Sequence, residues 1–355
     1  MAILRIIRAA LGASATLAML AGCSGGSSPA AFSPGGPGGR TDNSVLAPTI
    51  ARIAHAPVKT PSFMDPRAAG KSLIFVSDAA GGVIDIYPQS GKSQKMAGQI
   101  TGLTQPQGIT TDKKGDLYVA NTNSSNVLVY APPYTGAPKM TISDAHEFPA
   151  DVAVSSAGVV AVTNICNAPK CQLDTGNVVL YAKGSSKSCA TVSDSAFNFT
   201  RVMFAEFDSS GVLYIDGMNG GYQTSFGLVT GGCGATGITN LGYVYTVSFP
   251  GGMQIDKAGD IAFCDQVNQV VDTFAPPVGS AFGSPVSTTP LTGSISPLGI
   301  ALLASGTNLY AADPGGSGLA EEYKYTAGGA AENTIAVGGQ PIGIAVTPPL
   351  SKENK

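Results

Sequence analysis

The sequence predicts an all-β fold of six four-stranded blades set in a ring, with the last strand of the chain closing it. Three observations predict this. A strand ending in Asp or Asn recurs at Asp78, Asn121, Asn164, Asp216, Asp265 and Asp313, at steps of 43, 43, 52, 49 and 48 residues. A period of roughly 40–50 residues in a strand-rich chain is the mark of propeller blades. Each of the first two such strands is followed by another that closes on an aromatic residue, Leu73–Asp78 by Val83–Tyr87 and Leu117–Asn121 by Val127–Tyr130. Finally, no apolar pattern of helical period persists beyond about two turns.

The second copy shows the whole unit. It opens with Gln105–Asp112, turns through Lys113–Asp116, and continues as Leu117–Asn121. Asn123–Asn126 then bridges to Val127–Tyr130, and Lys139–Ile142 closes the unit. Apolar runs bounded by Gly, Asn, Asp and Ser are strand and hairpin signals, so these are strands a, b, c and d. The opening strand recurs at Pro149–Val154, Val202–Asp208, Pro250–Asp256 and Pro297–Leu302. The first copy has no opening strand, because Leu73–Asp78 is already a b strand. An orphan opening strand, Pro341–Val346, stands at the other end of the chain. Five complete blades and one split blade make a six-bladed β-propeller. Its C-terminal strand is expected to pair with the first blade, since closure removes exposed sheet edges.

Pro-x-Gly-Ile, then Gly-x-Leu-Tyr-Val-Ala-Asp/Asn, then Val-x-Val-Tyr is a pattern that resembles the NHL-repeat family. It is more loosely similar to the six-bladed lactonase and regucalcin-like propellers. The resemblance spans about residues 72–347 and implies a fold far more than a function.

The N-terminus reads as an address. Residues 1–23 resemble a bacterial lipoprotein signal: Arg5 and Arg8, an apolar stretch from Ala9 to Leu20, then the lipobox Leu20-Ala-Gly-Cys23. The stretch is shorter than the roughly 20 apolar residues a membrane span needs. Cleavage would leave Cys23 as an acylated N-terminus, and each buried CH₂ adds about 0.8 kcal/mol of membrane affinity. Ser24 after that cysteine implies outer-membrane sorting, by resemblance to enterobacterial lipoproteins. The expected location is therefore the bacterial cell envelope, with the membrane as partner through the lipid anchor. Residues 24–40, rich in Gly, Ser and Pro, read as a flexible tether. Residues 41–71 form an extension whose packing the sequence leaves open, the propeller occupies 72–347, and 348–355 is a tail.

Charged residues are only 12% of the chain and Gly is 46 of 355, as suits a turn-rich extracytoplasmic β protein. A net charge of −3 and the lack of a basic run exclude nucleic acid as an expected partner. In an oxidising compartment Cys166 and Cys171, flanking a short polar insertion, are expected to form a disulfide. Cys189 and Cys233 fall in corresponding outer strands of adjacent repeats and leave a second bridge open. Cys264, in the apolar strand Asp260–Cys264, reads as a buried, inert thiol.

In propellers of the resembled kind, strand a lines the axis and ligands meet the channel where the a strands begin. The residues near those starts are Gln107, Ala150, Met203, Gly252, Leu298 and Ile342, and they are mostly neutral or apolar. The regucalcin-like lactonases place Asn, Asp and Glu there to hold a divalent cation. This chain offers one clear carboxylate, Asp151, where a hard cation wants several oxygen ligands. No metal or cofactor is therefore expected. The candidate ligand face comprises Gln107, His146, Glu147, Asp151, Arg201 and Gln254, with no residue assigned to catalysis. The six Asp/Asn anchors are expected to cap their turns. The function expected is a non-enzymatic binding or scaffold module for a protein, peptide or glycan. The alternative is a lactonase-like or streptogramin-lyase-like enzyme, with His146 as general base and Arg201 as an anion clamp.

Overall fold

The computed structural model describes residues 60–348 apart from 90–93, 167–174, 195, 197–198, 222, 243–246 and 316–317. Cys23, Cys171 and the signal and tether segments lie outside the described residues. The described chain is a six-bladed propeller of antiparallel blades, as the repeat predicts.

Blade II is the plainest copy. Strand a (Pro106–Thr111) pairs with b (Leu117–Asn121), b with c (Asn126–Tyr130), and c with d (Met140–Ser143). Leu117 and Val119 are wholly buried and sit opposite Thr111 and Ile109 of strand a. The a strands of successive blades pack side by side around the axis. One face of the disc therefore carries every a–b and c–d connection, the lower face. The other carries every b–c and d–a connection, the upper face.

Closure occurs where the orphan strand predicts it. Pro341–Thr347 pairs antiparallel with Leu73–Asp78, with Leu73 opposite Thr347 and Val76 opposite Ile344. Ser77 fastens the seam: its hydroxyl accepts the Gly343 N–H at 2.7 Å and donates to the Gln107 carbonyl at 2.6 Å. Blade I thus takes strand a from one end of the chain and b, c and d from the other.

The end of the N-terminal extension also joins this blade. Phe63 and Met64 pair with Gln99 and Gly98 as a fifth, outermost strand. A second addition lies between blades V and VI, where Gly329–Ala330 pairs in parallel with Leu291 and Thr292 of blade V.

The core between blades mixes aliphatic and aromatic side chains, and several phenylalanines gather between blades IV and V. Phe226 of blade IV meets Phe263 and Phe282 of blade V edge-on, at centroid distances of 4.4 and 5.7 Å. Such pairs add about 0.5–1.5 kcal/mol beyond area burial.

Cys189 and Cys233 are disulfide-bonded. Cys189 lies in the outer strand of blade III (Ser188–Ser193), as expected. Cys233 does not lie in an outer strand but in a 3₁₀ turn, Gly232–Gly234, that leads to one. The turn swings it sideways, so the bond joins two blades. Cys166 is also disulfide-bonded; its expected partner lies outside the described residues. Cys264 is free and buried, as read, and burial pushes its thiol pKa well up.

Candidate functional site

Gly108, Gly252, Gly299 and Gly343 occupy the third position of their a strands, facing the neighbouring a strand. A Cβ on Gly252 would lie 2.9 Å from the Ile300 nitrogen, and one on Gly299 would lie 2.5 Å from the Ile342 carbonyl and 3.1 Å from Gly343 Cα. The glycine of Pro-x-Gly-Ile is therefore a packing requirement. It lets neighbouring a strands touch backbone to backbone.

Blades III and IV break that rule, and there the channel becomes acidic. Asp151 takes the glycine position of blade III. Its carboxylate lies against Gly108 and accepts the Ala205 N–H of blade IV at 3.1 Å. Burial pushes its pKa up to about 8, against the lowering effect of that N–H. Glu206 accepts from Gln254 at 2.9 Å and from the Phe207 N–H at 2.9 Å. These groups line a cavity of about 20 Å³, room for one water. Another of about 30 Å³ lies below it, beside Thr110 and Gln254. Small-molecule sites occupy about 300–1,000 Å³, so neither cavity admits a substrate.

Asp216 joins this inner group, contrary to the turn-capping role expected of it. Four anchors do cap. Asp78 accepts the N–H groups of Ala80, Gly81 and Gln340; Asp265 those of Ser248 and Val267; Asp313 those of Ile295, Ser296 and Gly315. Asn121 accepts the Thr104 N–H. Asn164 is buried and donates to the Asn177 side chain instead, and its Oδ1 accepts no backbone N–H among the described residues. Asp216 sits one residue earlier than these in its strand. Side chains alternate across a sheet, so it turns inward, and Oδ1 accepts the Phe204 N–H at 3.0 Å. Ser77 and Thr163 hold the same place in their blades and likewise bond an a strand. Gly217 stands where the cap would be. Burial holds the Asp216 carboxyl well above the ordinary range. The readable signal was the length of the phrase: Leu-Tyr-Ile-Asp is one residue shorter than Leu-Tyr-Val-Ala-Asn.

The upper mouth is apolar. Ala79, Phe204, Met253, Leu298 and Ile342 belong to one buried cluster, with Met203 packed on it. The six expected face residues do not converge there. Asp151 and Gln254 line the channel. Gln107 is half-buried, and its carbonyl is engaged by Ser77. Arg201 is buried at the start of strand a of blade IV.

His146 is exposed on the rim with a φ of 70°. Glu147 beside it accepts from Asn177 at 3.0 Å, and burial lifts its pKa to about 7. Asp144 accepts from Tyr181 at 2.6 Å and is raised by burial. Composition hid this rim network, because its members come from three separate strands and loops.

The faces differ in charge. Lys113, Lys114 and Lys257 lie in a–b turns of the lower face, and Lys71 lies just before strand b of blade I. Lys95, Lys139, Lys183 and Lys187 lie in c–d connections there, and Lys324 ends a c strand. These are all the lysines among the described residues, and all are exposed. The upper face carries Asp78, Asp144, Glu147, Asp194, Asp265 and Asp313.

Comparison with known proteins agrees with the architecture. Residues 103–130, within and around blade II, match the family model described as NHL repeat. No curated protein matches the sequence. A chain from the structure of a nidogen/laminin complex is similar with a TM-score of 0.60 at 15% identity, covering 79% of this chain and 100% of that one. A protein of unknown function from Bacteroides caccae gives 0.57 at 10% identity, covering 78% and 98%. A functionally unknown protein from Desulfotomaculum acetoxidans gives 0.51 at 13% identity, covering 81% and 89%. At these identities the likeness is one of fold.

Proposed function

We propose that the protein is an extracytoplasmic lipoprotein, anchored through acylated Cys23, whose propeller is a non-enzymatic binding or scaffold module. The observation that carries this reading is the state of the axial channel. Leu298 and Ile342, near the starts of their a strands, are buried in one apolar cluster with Phe204. Asp151 and Asp216 each hold a backbone N–H on one oxygen and Glu206 accepts from Gln254, and the space that Asp151 and Glu206 line is of water size. A general base needs reach to a substrate proton; Asp216 is wholly buried, and Asp151 faces a space of water size. Ligands of a rigid disc of this kind meet its faces and rim, and a protein, peptide or glycan has the extent to do so. The lipobox supports the anchor, and the Cys189–Cys233 bond supports an oxidising compartment.

Two measurements test the reading. Cys23→Ala should move the protein out of the membrane fraction and abolish fatty-acid labelling; labelling that persists would remove the anchor. Calorimetry of the purified chain with Ca²⁺, Mg²⁺, Mn²⁺ and Zn²⁺ should give no constant tighter than about millimolar, the range of weak extracellular sites. A micromolar constant lost in Asp151→Ala, accompanied by lactone turnover, would replace the binding module with an enzyme.

A further inference from the structure

We propose that the lower face of the propeller docks on an anionic phospholipid surface. The inference goes beyond lipid anchoring and does not depend on it: acyl chains would hold the protein near a membrane, whereas this assigns the face that lies against it.

The first observation is the segregation of lysine. The chain as a whole is acidic, with a net charge of −3, yet every described lysine stands on one face. Strand connections divide evenly between the two faces, so this is not a consequence of loops being polar. Two of the nine are neutralised locally, Lys139 by Asp116 and Lys324 by Glu332. Of the acids on the same face, Asp112, Asp208 and Asp256 have a carboxylate oxygen turned back on the N–H groups of their own turns. Lys113 and Lys114 project beyond them.

The second observation is apolar. The c–d connection of blade V, residues 275–286, also emerges on this face. Val278 at its tip is 92% exposed, and Val286 at its base is 57% exposed. The segment is nonetheless well held. Val278 bridges to Ala281 across a tight turn with Gly279 at a φ of 73°. Phe282 roots it against Phe226, Phe263 and Phe274 at 5.4–5.7 Å. A rooted loop that presents a bare valine to solvent, on the face that gathers the lysines, matches the two layers of a bilayer surface. Lysines meet the phosphate layer while the loop tip enters the apolar region beneath it. A soluble polyanion would use the lysines and leave Val278 without a role.

The third observation is shape. Two hollows open on this face. One of about 330 Å³ lies between Lys71, Lys113 and Lys114, walled by Tyr134 and Pro132. Another of about 470 Å³ lies beside Lys257 and Lys324. The first sets lysines beside an apolar wall, the arrangement a phospholipid headgroup and its glycerol backbone require, whereas the second also has Asp256 in its lining.

The test uses the chain from Ser24 onward, which carries no acyl chain and retains all six blades with their own closing strand. Its co-sedimentation with vesicles of equimolar phosphatidylglycerol and phosphatidylcholine is compared with pure phosphatidylcholine, at low and physiological salt. Binding is expected to the anionic vesicles alone and to weaken with salt. Each lysine near an anionic surface is worth about fivefold in binding, so Lys113→Ala with Lys114→Ala should lower partitioning about 25-fold with an unchanged melting temperature. Val278→Ser should weaken vesicle binding severalfold and leave binding to dextran sulfate unaltered. His146→Ala, on the opposite rim, should change nothing. Equal binding to neutral vesicles, no vesicle binding, or binding indifferent to Lys113 and Lys114 would overturn the proposal. Dextran sulfate binding as strong as vesicle binding, with Val278→Ser silent in both, would replace the lipid surface with an anionic polymer. Because this chain lacks Cys23, none of these outcomes bears on whether that cysteine is acylated.

Discussion

The Asp151 carboxylate of blade III accepts the backbone N–H of Ala205 in blade IV at 3.1 Å, at the position where four other blades have glycine. A carboxyl thus does structural duty between two a strands, at a depth where its charged form is disfavoured. Its pKa in the fold is about 8, raised from 3.8 chiefly by burial, and that of Asp216 is raised in the same sense. The folded protein therefore holds protons that the unfolded chain releases above about pH 4. The contribution of Asp151 is complete below that pH and is lost as pH rises through about 8. Asp151→Asn keeps an acceptor for Ala205 and cannot ionise. Urea midpoints should show the wild type losing stability between pH 5 and 8 and the variant losing less. Parallel slopes would mean that Asp151 is ionised in the fold.

The bond between Cys189 and Cys233 closes a segment with a separation of 44 residues. The chain-entropy model assigns a loop of that length about 4 kcal/mol. Because the bond spans two blades, its loss should loosen the seam between them before the rest. Cys189→Ala with Cys233→Ala should lower the denaturation midpoint by a corresponding amount. Hydrogen exchange should quicken first in Ser188–Ser193 and Thr239–Gly242, the outer strands on either side of the bond.

Removal of residues 341–355 takes away strand a of blade I. Seven residues leave a sheet in which Ile74, Phe75 and Val76 are wholly buried. The truncated chain should aggregate or lose cooperative unfolding, since it exposes both a sheet edge and an apolar face. Melting at the wild-type temperature would contradict the pairing of Leu73–Asp78 with the C-terminal strand.

Gly299→Ala and Gly343→Ala each press a methyl into the neighbouring a strand, and overpacking of this kind costs about 1–3 kcal/mol. Gly136→Ala, in a loop where the added Cβ meets nothing within 4 Å, should be neutral. Chemical denaturation of the three variants separates the axial requirement from a general penalty for losing glycine.

The blade count, the four-strand order and the closure were legible because each rests on local signals repeated at a fixed spacing. The glycine of Pro-x-Gly marks a close backbone approach at the axis in four of the six blades, and the orphan strand at 341–346 reported the split blade. The site was less legible. Asp216 looked like Asn121 in type and approximate period, but a shift of one residue sends a side chain to the other side of a sheet. Cys233 looked like an outer-strand residue because it follows Cys189 by 44 residues, about one repeat, whereas a 3₁₀ turn carries it. The segregation of lysines lay in plain sight, yet it emerges only once each turn is assigned to a face.

Blade I has a further meaning for connectivity. Its inner strand and its other strands enter from opposite ends of the chain, so the two ends of the propeller meet in one sheet and any blade boundary is as good a place to begin as the natural one. A linker from residue 348 to residue 60, with new termini cut in the turn between Ser143 and Pro149, should yield a circular permutant with the same six sheets. Its folding would differ more than its structure. In the natural order, pairing Leu73–Asp78 with Pro341–Thr347 brings together residues at the far ends of the chain, the slowest kind of contact to form. In the permutant that pairing becomes local, and the late step moves to whichever seam the cut has opened.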